Sequence, residues 1–220
     1  MGTSTGADEL PGTIARPVDH ELVVKRSRFL THLAPVADVA AADAVVARVR
    51  KEHWDARHHC VALVVGPHAD QQRSTDDGEP SGTAGVPMLE VLRHRALTDV
   101  VAVVTRYFGG VLLGAGGLVR AYSSAVSEAL DVARVVRRAV RTVVTVDVPH
   151  ADAGRLHGVL HDWAGTHDAV LAGVAYEEVA RFTVLVAPAD LARFDADLAA
   201  ASAGGLRARR GEDRVVDLDR

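Results

Sequence analysis

Two glycine-rich blocks constrain this chain more than any other feature: Arg73-Ser-Thr-Asp-Asp-Gly-Glu-Pro-Ser-Gly-Thr-Ala-Gly-Val-Pro87 and Arg106-Tyr-Phe-Gly-Gly-Val-Leu-Leu-Gly-Ala-Gly-Gly-Leu-Val-Arg120. Glycine surrenders side-chain contacts and costs backbone entropy, so dense glycine marks a backbone that turns sharply or approaches a neighbour closely. Both blocks also carry charge: Asp76, Asp77 and Glu79 in the first, Arg106 and Arg120 in the second. A charged, glycine-rich connection is more often a site than a core.

The rest of the chain surrounds these blocks with ordinary α+β patterning. His20–Val24 and Phe29–Ala34 read as strands separated by Lys25-Arg-Ser-Arg28, and Asp38 opens a helix with Val39, Ala42, Val45, Val46 and Val49 at helical spacing. The valine-rich runs His59–Val65 and Asp99–Tyr107 read as buried strands. Each glycine block feeds a helix, the first from about Thr83, the second with Leu118, Tyr122, Ala125, Val126 and Ala129 on one face. From Thr142 onward the pattern is strand, helix, two strands, helix, strand, the β-α-β-β-α-β order of a ferredoxin-like domain. These patterns divide the chain into a tail at 1–12, an N-terminal domain at 13–136 and a C-terminal domain at 142–220. Arg134–Arg141 forms the link between the domains.

Composition narrows the function classes. Hydrophobic residues make up 48% of 220 and aromatics only 4%, so the core is built of Val, Leu and Ala. The formal net charge of −4 argues against coating nucleic acid by bulk charge and leaves room for a local basic patch. The single Cys60 excludes an internal disulfide framework and a cysteine-rich zinc site. That usage suits a reducing, cytoplasmic compartment. No apolar run approaches the ~20 residues of a membrane span. The small, polar N-terminus lacks the charged and apolar regions of a signal peptide. The pattern carries no signal for oligomeric state.

The second block lies between a strand and a helix, where backbone N–H groups and glycines admit an anion. Gly109, Gly110, Gly114, Gly116 and Gly117, flanked by Arg106 and Arg120 and assisted by Arg28, form a candidate phosphate surface. The block lacks the Gly-Lys-Ser/Thr of a phosphate loop and the spacing of a dinucleotide fingerprint. Equally, the glycines serve a tight turn and close helix packing. Asp76, Asp77 and Glu79 have the chemistry of Mg²⁺ ligands. Capping of the next helix and pairing with Arg73, Arg106 or Arg120 is the better reading, so no metal and no cofactor is expected. His58 and Cys60 share one strand face, but a lone cysteine in an apolar run is a core residue, and no catalytic constellation is recognisable. Arg134, Arg137, Arg138 and Arg141, with Arg207, Arg209 and Arg210, read as a solvated basic strand face or a second basic surface.

On Lys25-Arg-Ser-Arg-Phe29, His58-His-Cys60, Asp76–Pro87 and Arg106–Tyr122, the chain resembles the IMPACT family, in its bacterial YigZ type. The likeness covers about Arg16 to Ala133, and the C-terminal order matches the family's second domain. It implies an N-terminal α+β sandwich similar to domain IV of elongation factor G, followed by a ferredoxin-like domain similar to its domain V. It also implies a non-catalytic, translation-related module whose partner is RNA or the ribosome. Two alternatives stand beside it. The N-terminal fold is shared with small-molecule kinases of the galactokinase and homoserine kinase type, which would set Gly114–Gly117 against ATP and use Asp76 or Asp77 for Mg²⁺. Ser123 and Ser124 fall too late for that pattern. The second is a protein-binding adaptor using the open sheet of the second domain.

Overall fold

A computed structural model of the chain describes residues 9–218. The described residues fall into two compact units, Glu9–Arg138 with residues 217–218, and Ala139–Val216.

The first unit is built on a five-stranded antiparallel sheet. Its strands are β2 (Val18–Val24), β3 (Ser27–Pro35), β4 (His58–Val65), β5 (Gln71–Thr75) and β6 (Val100–Tyr107), in the order β2-β3-β6-β4-β5. Strands β4 and β6 are buried along nearly their whole length because helices cover both faces. On one face α2 (Gly85–His94) and α3 (Ala115–Asp131) pack through Met88, Leu92, Leu118, Tyr122 and Val126 against Phe29, Leu33, Cys60 and Val104. On the other face α1 (Val39–Glu52) places Ala42, Val46 and Val49 on Val61, Leu63, Val101 and Val103. Asp38 starts α1 by accepting a bond from the Ala41 amide at 2.8 Å, which satisfies one of the helix's orphan donors.

In the second unit α4 (Ala153–Thr166) and α5 (Leu191–Ala201) cover one face of a sheet made from β7 (Val135–Val148), β8 (Val170–Tyr176), β9 (Ala180–Val186) and β10 (Ala208–Asp217). The spatial order is β10-β7-β9-β8. That is the ferredoxin-like arrangement read from the element order. Val144, Val146, Phe182 and Val184 face Leu156, Leu160, Trp163, Phe194 and Leu198, and Trp163 donates its indole N–H to Asp197 at 2.9 Å.

Three expectations need correction. Residues 9–12 are not a loose tail. They begin strand β1 (Glu9–Ile14), tied by Gly12 N–H to Ala96 O at 2.9 Å, Thr98 N–H to Gly12 O at 2.8 Å and Ala15 N–H to Arg134 O at 2.9 Å. The rest of that expectation, residues 1–8, lies outside the described residues. Arg134–Arg141 is not a linker, because the chain passes from one unit to the other within strand β7. The basic stripe is largely neutralised. Arg138 pairs with Asp99 and Arg141 with Asp168, each at 2.7 Å, while Arg209 pairs with Asp147 and Arg210 with Asp195.

Candidate functional site

The strand register gathers the motif segments at one end of the first sheet. Val24 pairs with Ser27, Arg28 with Tyr107, His58 with Arg106 and Val61 with Thr75. The β2–β3 turn, the segment after α1, the first glycine block and the second glycine block therefore all emerge together.

The centre of this end is buried charge. Arg106 leaves β6 on the α2/α3 face, where Nη1 donates to Glu79 Oε1 at 2.7 Å; the two side chains are 7% and 3% exposed. The Tyr122 phenol donates to the same oxygen at 2.8 Å. Burial pushes that phenol far up, with Cys60 and Glu79 adding to it, so Tyr122 keeps the proton it donates. The Arg106 guanidinium lies over Phe29, 5.4 Å from its ring centre, and near Phe108 at 5.7 Å. Phe29 meets Tyr122 edge-on at 5.1 Å. One buried cluster thus fastens β6, α3 and the first glycine block.

The acidic residues complete the fastening. Asp76 accepts three backbone N–H bonds, from Gly82 at 2.7 Å, Ala84 at 3.0 Å and Gly85 at 2.8 Å. Burial works to raise its carboxyl, but the three amides outweigh it and the acid is held below its ordinary value. Its contribution to stability is therefore present at neutral pH and is lost as pH falls below about 4. Asp77 accepts from Arg50 at 2.7 Å and from the His59 amide at 2.7 Å. Cys60 donates its thiol to Asp76 O at 3.0 Å, and burial pushes that thiol up to about 12. It is a protonated core residue. Among the described residues no three His, Cys, Asp or Glu side chains converge as metal ligands would.

The predicted phosphate residues are only partly brought together. Arg106 is a correction: enclosed with Glu79, it is not available to a phosphate. Arg28 points to the opposite, α1 face, where it makes two bonds to Glu21 at 2.6 and 3.2 Å. Arg120 is exposed beside the start of α3, next to Gly116. Gly114 precedes that helix at φ +72°, a conformation an L side chain adopts only under strain. Gly109 has a different reason. A Cβ there would sit 2.0 Å from the Arg26 carbonyl carbon, so glycine lets the second block lie directly on the β2–β3 turn. Ser27 Oγ, which accepts from the Gly109 amide at 3.2 Å, stitches the two together.

That contact reveals residues the sequence reading leaves out of the site. Lys25 and Arg26 form the two-residue turn between β2 and β3, both with positive φ, 46° and 68°. Such turns usually hold Asn or Gly. With Arg120, these exposed cations have no ion-pair partner among the described residues. The same end of the sheet carries exposed apolar side chains: Phe108 at 54%, Leu112 at 84% and Trp54 at 81%. His53, one residue before Trp54, hydrogen-bonds Tyr107 at 3.2 Å, which holds that segment at the same end. The sequence carries no signal for this turn, since Lys-Arg stands in place of the Asn-Gly that announces a tight hairpin.

This α+β fold with its glycine-block clasp defines a class, and comparison with known proteins names it. Residues 25–130 match the Impact N-terminal domain. The chain is 41% identical over 195 residues to IMPACT family member YigZ of Escherichia coli (strain K12), covering 88% of this chain and 94% of that protein. It is 45% identical over 150 residues to IMPACT family member YvyE of Bacillus subtilis (strain 168), covering 68% and 69%. Protein IMPACT of Bos taurus is 35% identical over 117 residues, half of this chain and 35% of that longer protein. A solved structure described as a hypothetical protein superposes with a TM-score of 0.60 at 40% identity over 93% of this chain and 98% of its own. The chain belongs to the IMPACT family, of the YigZ type.

Three outcomes follow from this packing. Arg106→Ala leaves Glu79 buried without its cation and lowers unfolding free energy by about 3–5 kcal/mol in urea titrations. Arg106→Met combined with Glu79→Gln recovers part of that loss, because the charge is gone and Tyr122 keeps an acceptor. Cys60 resists a thiol reagent at pH 8 in the native protein and reacts fully once urea unfolds it; fast native labelling would contradict its burial.

Proposed function

We propose that this protein is a non-catalytic, translation-related module that binds single-stranded or looped RNA, on the ribosome or free, through the end of its first sheet. The observation that supports this most is the exposed cation set Lys25, Arg26 and Arg120, without ion-pair partners among the described residues, at the same end of the sheet as exposed Phe108, Leu112 and Trp54. Cations recognise phosphates, and exposed aromatic faces accept unstacked bases; the two together are the chemistry of single-strand binding. Two non-glycine residues held at positive φ in one turn add to this reading, since strain of this kind persists where a surface has work to do. The exposed first turn of α3, with Gly116 and Gly117, offers backbone N–H groups to a phosphate in the same neighbourhood. The net charge of −4 confines such binding to this patch.

The kinase alternative loses its supports. Asp76 and Asp77 are engaged by backbone amides and Arg50 rather than turned toward a ligand, and Glu79 is enclosed.

The test is RNA binding, by ribosome co-sedimentation and by anisotropy of a labelled single strand, across a salt series. Three phosphate contacts give a log–log salt slope of about −2 on single strands. Lys25→Glu with Arg120→Glu weakens binding to every sequence and flattens that slope, with the fold intact by circular dichroism. Binding that ignores both salt and this variant would refute the proposal.

A further inference from the structure

Beside the cation patch, a groove of about 270 Å³ runs between β2 and α3. Its floor is apolar, made by Leu22 and Val24 from β2 and by Leu113 and Ala121 from the second block and α3. Its two ends differ in charge. Lys25 and Arg120 stand at the outer end, while Ser124 and Glu128 follow along α3 toward the inner end. The polarity follows from the chain directions: β2 runs toward the cation patch and α3 runs away from it, so Arg120, Ser124 and Glu128 succeed one another at intervals of one helical turn or slightly more. His20, on β2, hydrogen-bonds Glu128 Oε2 at 3.2 Å and fixes the carboxylate at that end. The other oxygen, Oε1, has no partner among the described residues.

The size and polarity select an occupant. At this volume the groove is just below the roughly 300–1,000 Å³ of sites for drug-sized molecules, which suits one planar base rather than a stacked pair. Phosphate belongs at Lys25 and Arg120, and a flat apolar ring on Leu22, Val24 and Ala121. The inner carboxylate is acceptor-only, so it selects a base edge that presents donors. Guanine offers two adjacent N–H donors on its Watson–Crick edge, matched to one carboxylate. Uracil presents carbonyl oxygens on either side of its single N–H, which the carboxylate repels. We infer that this groove takes one unpaired guanine of a single-stranded RNA, its phosphate held by Lys25 and Arg120 and its base edge read by Glu128 and Ser124. The inference rests on the RNA-binding reading and adds base selectivity to it.

Anisotropy of labelled RNA hexamers separates the two. The probes are hexauridylate and the same strand with one central uridine replaced by guanosine or by adenosine. The native protein binds the guanosine strand about tenfold or more tightly than hexauridylate, the discrimination of a good two-donor base contact. Glu128→Gln, which keeps a hydrogen-bonding side chain opposite His20, removes most of that preference by weakening the guanosine strand and relieving the repulsion of uracil. Lys25→Glu weakens all three probes together. Equal binding of the three probes, still weakened by Lys25→Glu, overturns the guanine site and leaves the RNA reading standing. Absence of binding to any probe overturns both.

Discussion

The buried ion pair between Arg106 and Glu79 is the constraint on which the rest of this structure depends. Two charges enclosed in a protein interior are tolerable only when each satisfies the other and neighbouring groups take up the remaining bonds. Here Tyr122 shares the Glu79 oxygen, Arg106 Nη2 donates to Ser27 Oγ at 3.4 Å, and Phe29 and Phe108 lie by the guanidinium, while Arg106 Nε has no partner among the described residues. The pair joins residues 27 positions apart, one in each glycine block. It therefore fixes the first block over the end of β6 and against α3. Asp76 then gathers the amides at the entrance to α2, and Asp77 fastens the same loop to β4 and α1. The acids, whose better reading in the sequence is capping and arginine pairing rather than metal ligation, are the internal bonding of a loop that has almost no other side chains with which to hold its shape.

What the clasp leaves outside is as informative as what it encloses. With Arg106 enclosed, Lys25, Arg26 and Arg120 are cations that this end leaves exposed. The first two are presented by a strained turn on which Gly109 lies in direct backbone contact. The glycines of the second block thus have distinct roles. Gly109 allows two chain segments to touch, and Gly114 lets the backbone swing into α3. A rigid interior beneath exposed Phe108 and Leu112 is what permits large apolar side chains to stay in solvent without collapsing onto a core of their own.

Much of the fold was legible because period and punctuation agreed. Asp38 caps α1 as its side chain predicts, and the valine runs of β4 and β6 read as strands covered on both faces. Two strands were hidden for physical reasons. Gln71–Thr75 is a polar edge strand with no apolar alternation, and Glu9–Ile14 holds Pro11 and Gly12, which normally argue against a strand. The site was legible only in part. The sequence offers pairing of the acids with Arg106, yet no local pattern reports that the pair is enclosed and so closed to a phosphate. Arg28 and Arg120, from separate motifs, read as parts of one phosphate surface, yet strand alternation sends Arg28 to the α1 face, where Glu21 neutralises it. Lys25 and Arg26 carry no glycine or asparagine to announce their tight turn, so their special geometry emerges only with the backbone.

The most direct test of the account is a hydrogen-exchange footprint of the native protein with and without a short single-stranded RNA. The account predicts slowed exchange confined to the β2–β3 turn, the segment from Phe108 to Arg120 and the residues around Trp54, with the Asp76–Gly85 loop already protected in the free protein. A footprint in the second unit alone, or a fast-exchanging Asp76–Gly85 loop in the free protein, would contradict it.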